Sequence, residues 1–471
     1  MIRVPNGWEV RPIGEVAKIV AGGTPPSKDP TNFQDEGGIP WLTPADLSGY
    51  RHKYISRGSR NLSESGYRAC SATKMPPGSV LFSSRAPIGY VAIAENEITT
   101  NQGFKSFVLP DGIDSGFVYH YLRHIKPLAE NLATGTTFKE LSGAATGKLP
   151  LLIAPLAEQK RIADKLDAVL ARVDACRDRL DRIPSILKRF RQSVLAAATS
   201  GQLTADWRAR RVIMEDDAGS PTANSDCGSS SFDSQFQSKL APYPMVQLSD
   251  VADSRLGKML DKEKNTGKAR AYLRNVNVRW FNFDLSDLQE MRVEDSDLEQ
   301  VSVAFGDLLI CEGGEPGRCA VWTGESGQFV FQKALHRVRP KDKRLNLVWL
   351  AYCLKLAADQ KQLDELFTGT TIKHLTGVSL AKFRFPLPDS EEQEEIVRRV
   401  ETLFAFADRL EARVTAARES ADRLTPALLA KAFRGELVPQ DPNDEPAAEL
   451  LKRLAANNNG EDKPKRGRKR A

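Results

Sequence analysis

The sequence predicts an α+β protein made of two strand-rich domains in tandem repeat, each followed by a long helix, with the two helices pairing as a coiled coil. Three observations carry that expectation. Residues 134–143 read TGTTFKELSG and residues 368–377 read TGTTIKHLTG, so seven of ten positions match at an offset of 234. The same offset relates Gln159 to Gln393, Ile162 to Ile396, Leu195 to Leu429, Gly201 to Gly435 and Leu203 to Leu437, and chance does not hold a frame over so long a stretch. The first part of each copy alternates short β-branched and aromatic runs with Gly and Pro, the pattern of strands joined by turns. The last part spaces apolar residues four and three apart, which is a heptad seam.

In chain order, a first globule is expected over 1–154, a helix over 155–207, a linker over 208–242, a second globule over 243–388, a helix over 389–438 and a disordered basic tail over 439–471. Strand-like runs fall at Gly78–Arg85, Gly89–Ala94 and Lys105–Leu109, and again at Gly306–Cys311, Arg318–Trp322 and Leu335–Arg339. A short helix follows in each copy, near 117–131 and 346–361. The first seam runs through Ile162, Leu166, Val169, Val173, Cys176, Leu180, Ile183, Leu187, Phe190, Val194 and Ala197. The second runs through Ile396, Val400, Leu403, Ala407, Leu410, Val414, Ala417, Ala421, Leu424 and Leu428. Each helix would span about 52 Å, longer than one globule is wide, so the seams are expected to bury against each other; periodicity does not decide their direction. Pro184 and Pro426 should kink or split the helices. The linker is rich in Ser, Asp, Asn and Gly and cannot bury a core.

Composition sets broad limits. With 41% hydrophobic and 27% charged residues the 471-residue chain reads as soluble and globular. Without an eighteen-residue apolar run or an apolar leader, the expectation is a cytoplasmic protein with no membrane association. The six cysteines are scattered, which argues against a disulfide framework or zinc site. The net charge of +6 permits a polyanionic partner, and the tail run KPKRGRKR at Lys463–Arg470 is a solvated arm or a phosphate contact.

Catalytic patterns are not met. Gly143–Lys148 is one residue short of a phosphate-binding loop, is followed by Leu149, and loses its second Gly in the other copy at Gly377–Lys382. His120 and His124 lie four apart on an expected surface or boundary helix, without the carboxylate a metal pair would need. The acidic run Glu391–Glu395 suits a helix start, where carboxylates complement the dipole. Neither a dinucleotide fingerprint, a nucleophile elbow nor a methyltransferase (N/D)-P-P-(Y/F) motif appears.

The duplicated layout resembles the specificity subunit of type I restriction–modification enzymes. The residues that carry the likeness are Thr134–Thr137, Leu141, Pro155 and Glu158–Ile162, repeated as Thr368–Thr371, Leu375, Pro388 and Glu392–Ile396. Gly7-Trp8, the starts Ile13–Val16 and Leu248–Val251, and the closing Ser200-Gly201-x-Leu203 and Arg434-Gly435-x-Leu437 add to it. The resemblance implies two target recognition domains held apart by two antiparallel helices, each reading one half of a bipartite, asymmetric site in double-stranded DNA. The helix length would then set the spacer between half-sites. It also implies two modification subunits, which bind S-adenosylmethionine and methylate adenine, and two restriction subunits, which use ATP and Mg. This chain would carry no cofactor and no catalytic or metal site. A fused methyltransferase chain and a coiled-coil adaptor without a nucleic-acid role are the competing readings; a bound cofactor would favour the first of these, and salt-sensitive DNA affinity would exclude the second.

A duplicated protein meets its partner through two similar surfaces, which suits the approximate two-fold symmetry of duplex DNA. Residues identical in both copies cannot explain the reading of different bases, so Lys139 and Lys373, with the TGTT loops, are assigned to folding or backbone contact. Readout is expected where the frame holds but the chemistry changes. At an offset of 228, Ser83–Tyr90 aligns with Cys311–Arg318. Arg85 can fork to a guanine edge and Glu312 can accept from cytosine N4, while Arg318 replaces Tyr90. Lys105 and Lys333 complete the candidate DNA contacts. The basic stretches at Arg51–Lys53, Arg57 and Lys258–Arg270 are candidate phosphate contacts.

Overall fold

The computed structural model describes residues 4–135, 139–218, 243–261, 263, 265–369 and 372–458. Thr136, Thr137, Thr370 and Thr371 of the TGTT loops, residues 219–242 of the expected linker and the basic run at 463–470 lie outside the described residues. The chain divides into two compact units, one of residues 1–181 with 416–471 and the other of residues 182–415. Each unit therefore holds one strand-rich globule, the beginning of its own long helix and the end of the other copy's helix.

In unit 1 a five-stranded sheet takes the order Lys18–Ala21, Lys105–Val108, Val80–Phe82, Val91–Ala94, Tyr54–Ile55. A four-stranded sheet of Phe33–Gln34, Arg60–Leu62, Ile39–Leu42 and Thr99–Thr100 adjoins it. In unit 2 the corresponding sheet runs Ala252–Leu256, Leu335–Pro340, Leu308–Cys311, Cys319–Val321, the same order of strands. Its register pairs Leu309 with both Ala320 and Arg337. Hairpin runs rich in Val, Ile, Leu and Phe become these strands because both faces are covered: Val80, Leu81, Phe82, Leu308, Leu309 and Ile310 are all fully buried. The short helices are Ser115–His124, capped by Asp114, and Leu347–Asp359, capped by Asn346.

The long helices are Leu156–Thr199 and Ser390–Phe433, 44 residues each. Their starts explain the repeated Glu-Gln pair. Gln159 donates to the Ala154 carbonyl and accepts from the Asp114 N–H, both at 2.8 Å. Gln393 does the same with Pro388 and Asn346, again at 2.8 Å. Glu158 accepts from the Trp8 indole at 3.0 Å, and Glu392 from the Tyr243 hydroxyl at 2.7 Å. The helices stop where Gly201 and Gly435 adopt φ of +79° and +73°, a left-handed turn that an L side chain resists.

The direction that periodicity left open is antiparallel. In unit 1 the Arg177 guanidinium meets Asp422 at 3.2 Å and the Ala421 carbonyl at 2.9 Å, while Arg418 pairs with Asp181. In unit 2 Arg191 bridges Asp408 and Glu411 at 2.6 and 2.8 Å. Partner numbers fall on one helix as they rise on the other. The cores are closed by exchanged helix ends. Phe433 packs its ring 5.3 Å from Phe117 and 5.0 Å from Tyr121, with Leu429 and Ala432 buried beside it. Val194, Leu195 and Ala198 enter the unit 2 core in the same way.

Five expectations need correction. Of the two outcomes expected of Pro184 and Pro426, a kink or a split, the split does not occur: each helix runs through its proline, and both prolines are exposed, so water can satisfy the carbonyl that loses its N–H partner. Cys176, Ala417 and Leu424 belong to the seams by spacing but are exposed, because two helices alone cannot cover a full stripe. The expected linker begins as a helix, Ala205–Ala218, held by Arg208 on Glu392 and by Asp206 on Arg399. The expected disordered tail contains the helix Ala447–Asn458, whose Ala447, Leu450 and Leu454 are buried in the unit 1 core and whose approach is fixed by Arg161 on Asp444 at 2.6 Å. His120, expected on a surface or boundary helix, is buried; its ring meets Asp167 at 2.7 Å, and desolvation holds its pKa below the usual histidine value.

Truncating Phe433→Ala should cost about 3–5 kcal/mol, and Leu195→Ala about 2–5 kcal/mol, read from denaturant unfolding. Glu395, held by Arg398 and Arg399, is depressed from 4.5 to about 2. Its contribution is therefore present above the ordinary glutamate value and lost as pH falls toward 2. Glu395→Gln should flatten that part of the acid-unfolding profile.

Candidate nucleic-acid interface

The loop singled out by changed chemistry has one backbone frame in both units. In unit 1 the Ser83 N–H donates to the Tyr90 carbonyl at 2.9 Å and the Gly89 N–H to the Ser83 carbonyl at 3.0 Å. In unit 2 Cys311 donates to Arg318 at 2.8 Å and Gly317 to Cys311 at 2.9 Å. Gly89 and Gly317 share a left-handed φ of +91° and +92°, and a Cβ there would meet Lys126 or Leu363 at 2.6 Å. The repeated segment locks onto this loop from the other side: Leu141 N–H bonds the Ser84 carbonyl at 2.9 Å, and Leu375 N–H bonds that of Glu312 at 2.8 Å. Ser84 also donates to Gly103 at 2.8 Å, and Glu312 to Ala334 at 2.9 Å. Three loops thus gather on one face of each globule.

On unit 1 this face is a cleft of about 980 Å³ whose lining includes Thr43, Arg85, Asn101, Glu130, Lys139 and Glu140. Arg85 lies 3.6 Å from Glu140 with 35% of its side chain exposed, so the guanidinium is oriented yet reachable. Lys139 is exposed at the rim, and Lys105 reaches the Gln102 carbonyl at 3.4 Å on the adjoining turn. Tyr90 lies elsewhere, in a second cleft with Tyr50, Arg51, Tyr119, Arg123 and Arg177. On unit 2 Glu312 and Lys333 stand on facing loops. Lys373 is exposed and pairs with Asp364 at 3.1 Å. Arg318 turns inward: it bonds Glu315 at 2.7 Å and the Asn275 carbonyl at 2.8 Å with 14% of its side chain exposed.

Most of the basic stretches are engaged by carboxylates. Arg51 pairs with Asp178 and Lys53 with Asp167, both at 2.6 Å. Lys258 pairs with Asp297, and Lys268 and Arg270 share Asp295. Such pairs orient the side chains and reduce the local positive field. Sequence reasoning missed Asn101, Gln102 and Asn275, which shape this face; Thr24 donates to Gln102, and Asn275 donates to the Gly313 carbonyl at 3.3 Å. It also missed His336, buried with its ring nitrogen 2.7 Å from the Leu375 carbonyl and its pKa lowered by desolvation. Their only signal was a polar residue placed between apolar strands. Burial pushes the Cys311 thiol up to about 11, leaving it neutral near pH 7. Among the described residues, no three His, Cys, Asp or Glu side chains could hold a metal ion together, and no helix is long and apolar enough to cross a membrane.

Residues 5–185 and 242–417 match the type I restriction modification DNA specificity domain, once per copy. The chain is 26% identical to the EcoKI type I restriction enzyme specificity subunit of Escherichia coli K12, covering 100% of this chain and 99% of that one. It is 31% identical to the Escherichia coli EcoBI specificity subunit over 74% of this chain and 73% of that one. A structure solved in work on assembly and conformational transition of the type I R-M system superposes with a TM-score of 0.65 at 20% identity, covering 92% of this chain and 99% of that one. The crystal structure of the HsdS subunit from Thermoanaerobacter tengcongensis gives 0.56, also at 20% identity, covering 92% and 98%.

Arg318→Ala should destabilise unit 2 by about 1–3 kcal/mol, because the Asn275 carbonyl loses a charged donor. Lys333→Ala should stay within about 0.5 kcal/mol. Chemical unfolding of both variants separates a side chain that builds the face from one that only lines it.

Proposed function

The chain belongs to the type I restriction modification DNA specificity family, and from that premise we propose that it reads a bipartite, asymmetric site in double-stranded DNA, one half per unit. The observation that supports this reading is the repeated loop frame with unlike chemistry. Identical residues such as Gln159 and Gln393 do the same folding work twice, whereas Arg85 in one copy aligns with Gly313 in the other.

In this proposal Arg85 forks to a guanine edge and Glu312 accepts from a cytosine amine, the two geometries that suit those bases in the major groove. Lys105, Lys139, Lys333 and Lys373 neutralise phosphates and set register without reading sequence. Tyr90 and Arg318 act differently from the others: Tyr90 packs in the second cleft, and Arg318 positions the Asn275 and Glu315 segments. The proposed boundaries remain a recognition domain and a helix in each copy, with the added helix Ala205–Ala218 in unit 2 and Ala447–Asn458 in unit 1.

The chemistry belongs, on this reading, to partners: two modification subunits that bind S-adenosylmethionine and methylate adenine, and two restriction subunits that use ATP and Mg. The exposed faces of the paired helices offer the docking surface. The proposed place of action is the cytoplasm, where the DNA is.

Single-molecule sequencing of adenine methylation in host DNA tests the function. A bipartite asymmetric motif should be present with this chain and vanish on its deletion; an unchanged methylome in a cell whose modification subunits are active would refute it. Arg85→Ala should relax one half-site and leave the other intact, with a loss of about 1–3 kcal/mol in binding. Lys139→Ala and Lys333→Ala should each lower the slope of log affinity against log salt by about one.

A further inference from the structure

We propose that Met259 and Leu260, on the loop that leaves the Ala252–Leu256 strand, make an apolar contact to base edges in duplex DNA and help set the half-site read by unit 2. This rests on the DNA-reading function proposed above. Two large apolar side chains stand next to each other with 57% and 45% of their surface exposed, while most residues of that size in unit 2 line its cores. Asn265 ties the backbone on either side of Leu260. Asn265 donates its side-chain amide to the Met259 carbonyl at 3.0 Å and its N–H to Asp261 at 2.9 Å.

Position supplies the occupant. Lys258 N–H bonds the Phe331 carbonyl at 3.0 Å, and Lys333 N–H bonds the Lys258 carbonyl at 2.9 Å. The next residue of that turn, Ala334, accepts from Glu312 at 2.9 Å. The apolar pair therefore follows directly on Lys258, whose carbonyl holds the exposed Lys333, and Ala334 of the same turn holds Glu312. Unit 1 places a different chemistry at the matching point. There Gly23 donates to Thr100 at 2.9 Å, and Thr24 bonds Gln102, after the Lys18–Ala21 strand. Gly22 and Gly257 mark the equivalence, since a Cβ on either would strike the backbone of the neighbouring strand segment, at 2.0 Å and 2.3 Å. One frame thus carries the hydroxyl of Thr24 and the ring of Pro25 in unit 1 and a thioether and an isobutyl group in unit 2. Apolar side chains discriminate thymine by its methyl group and can also enter a base step.

The test uses the full chain with its modification subunits and the double variant Met259→Ser, Leu260→Ser. Affinity for the duplex identified by the methylome should fall about tenfold, with the salt slope unchanged because no phosphate contact is removed. The sequence requirement of the other half-site should persist, and the swapped pair Met259→Leu, Leu260→Met should restore affinity. Cognate affinity within about twofold of the parent, or a loss matched by a lower salt slope, would overturn the proposal. A parent chain with no site-specific affinity would instead refute the DNA-reading function itself, and this contact with it.

Discussion

The antiparallel pairing of the two long helices is the constraint on which the rest of the structure depends. It delivers the end of each helix into the core of the unit founded by the other copy: Leu429, Ala432 and Phe433 in one, Val194, Leu195 and Ala198 in the other. The ion pairs between the helices, such as Arg177 with Asp422, are partly exposed and add little. Apolar burial of the exchanged ends carries the energy. The mid-helix residues Cys176, Ala417 and Leu424 can remain exposed because the anchoring happens at the ends.

Duplication separates folding from recognition with unusual clarity. Each glutamine hook closes the same two backbone groups, and each left-handed glycine ends the same helix. Between those fixed points the loops keep their hydrogen-bond frame, and their side chains are free to differ. A binding face built in this way changes its chemistry without risk to the core, since Arg85, Glu312 and Lys333 lie on loops while the strands behind them are buried.

Much of this was legible in the sequence. The offset of 234 located both copies, the heptads located both helices, and the strand runs near 80, 91, 105, 308, 319 and 335 fall where strands form. What escaped depended on contacts remote in the chain. Leu450 and Leu454 look like part of a polar tail until the core beneath them is known. His120 looks like half of a surface pair until Asp167 is seen to receive it. Local spacing cannot report that Arg318 is engaged by Asn275 or that Lys53 is held by Asp167, because those partners lie 43 and 114 residues away. The loop frame was aligned correctly, but which of its side chains face outward required the fold.

The Ala447–Asn458 helix has a topological consequence. The Ala447 N–H bonds the Gly7 carbonyl at 3.0 Å, and Gln440 reaches the Asn6 carbonyl at 3.0 Å. The segment before the first globule and the segment after the second long helix therefore meet in one unit. Loss of residues 440–458 would therefore strip the partners from the Asn6 and Gly7 carbonyls and, in the same stroke, uncover the part of the unit 1 core that Ala447, Leu450 and Leu454 fill.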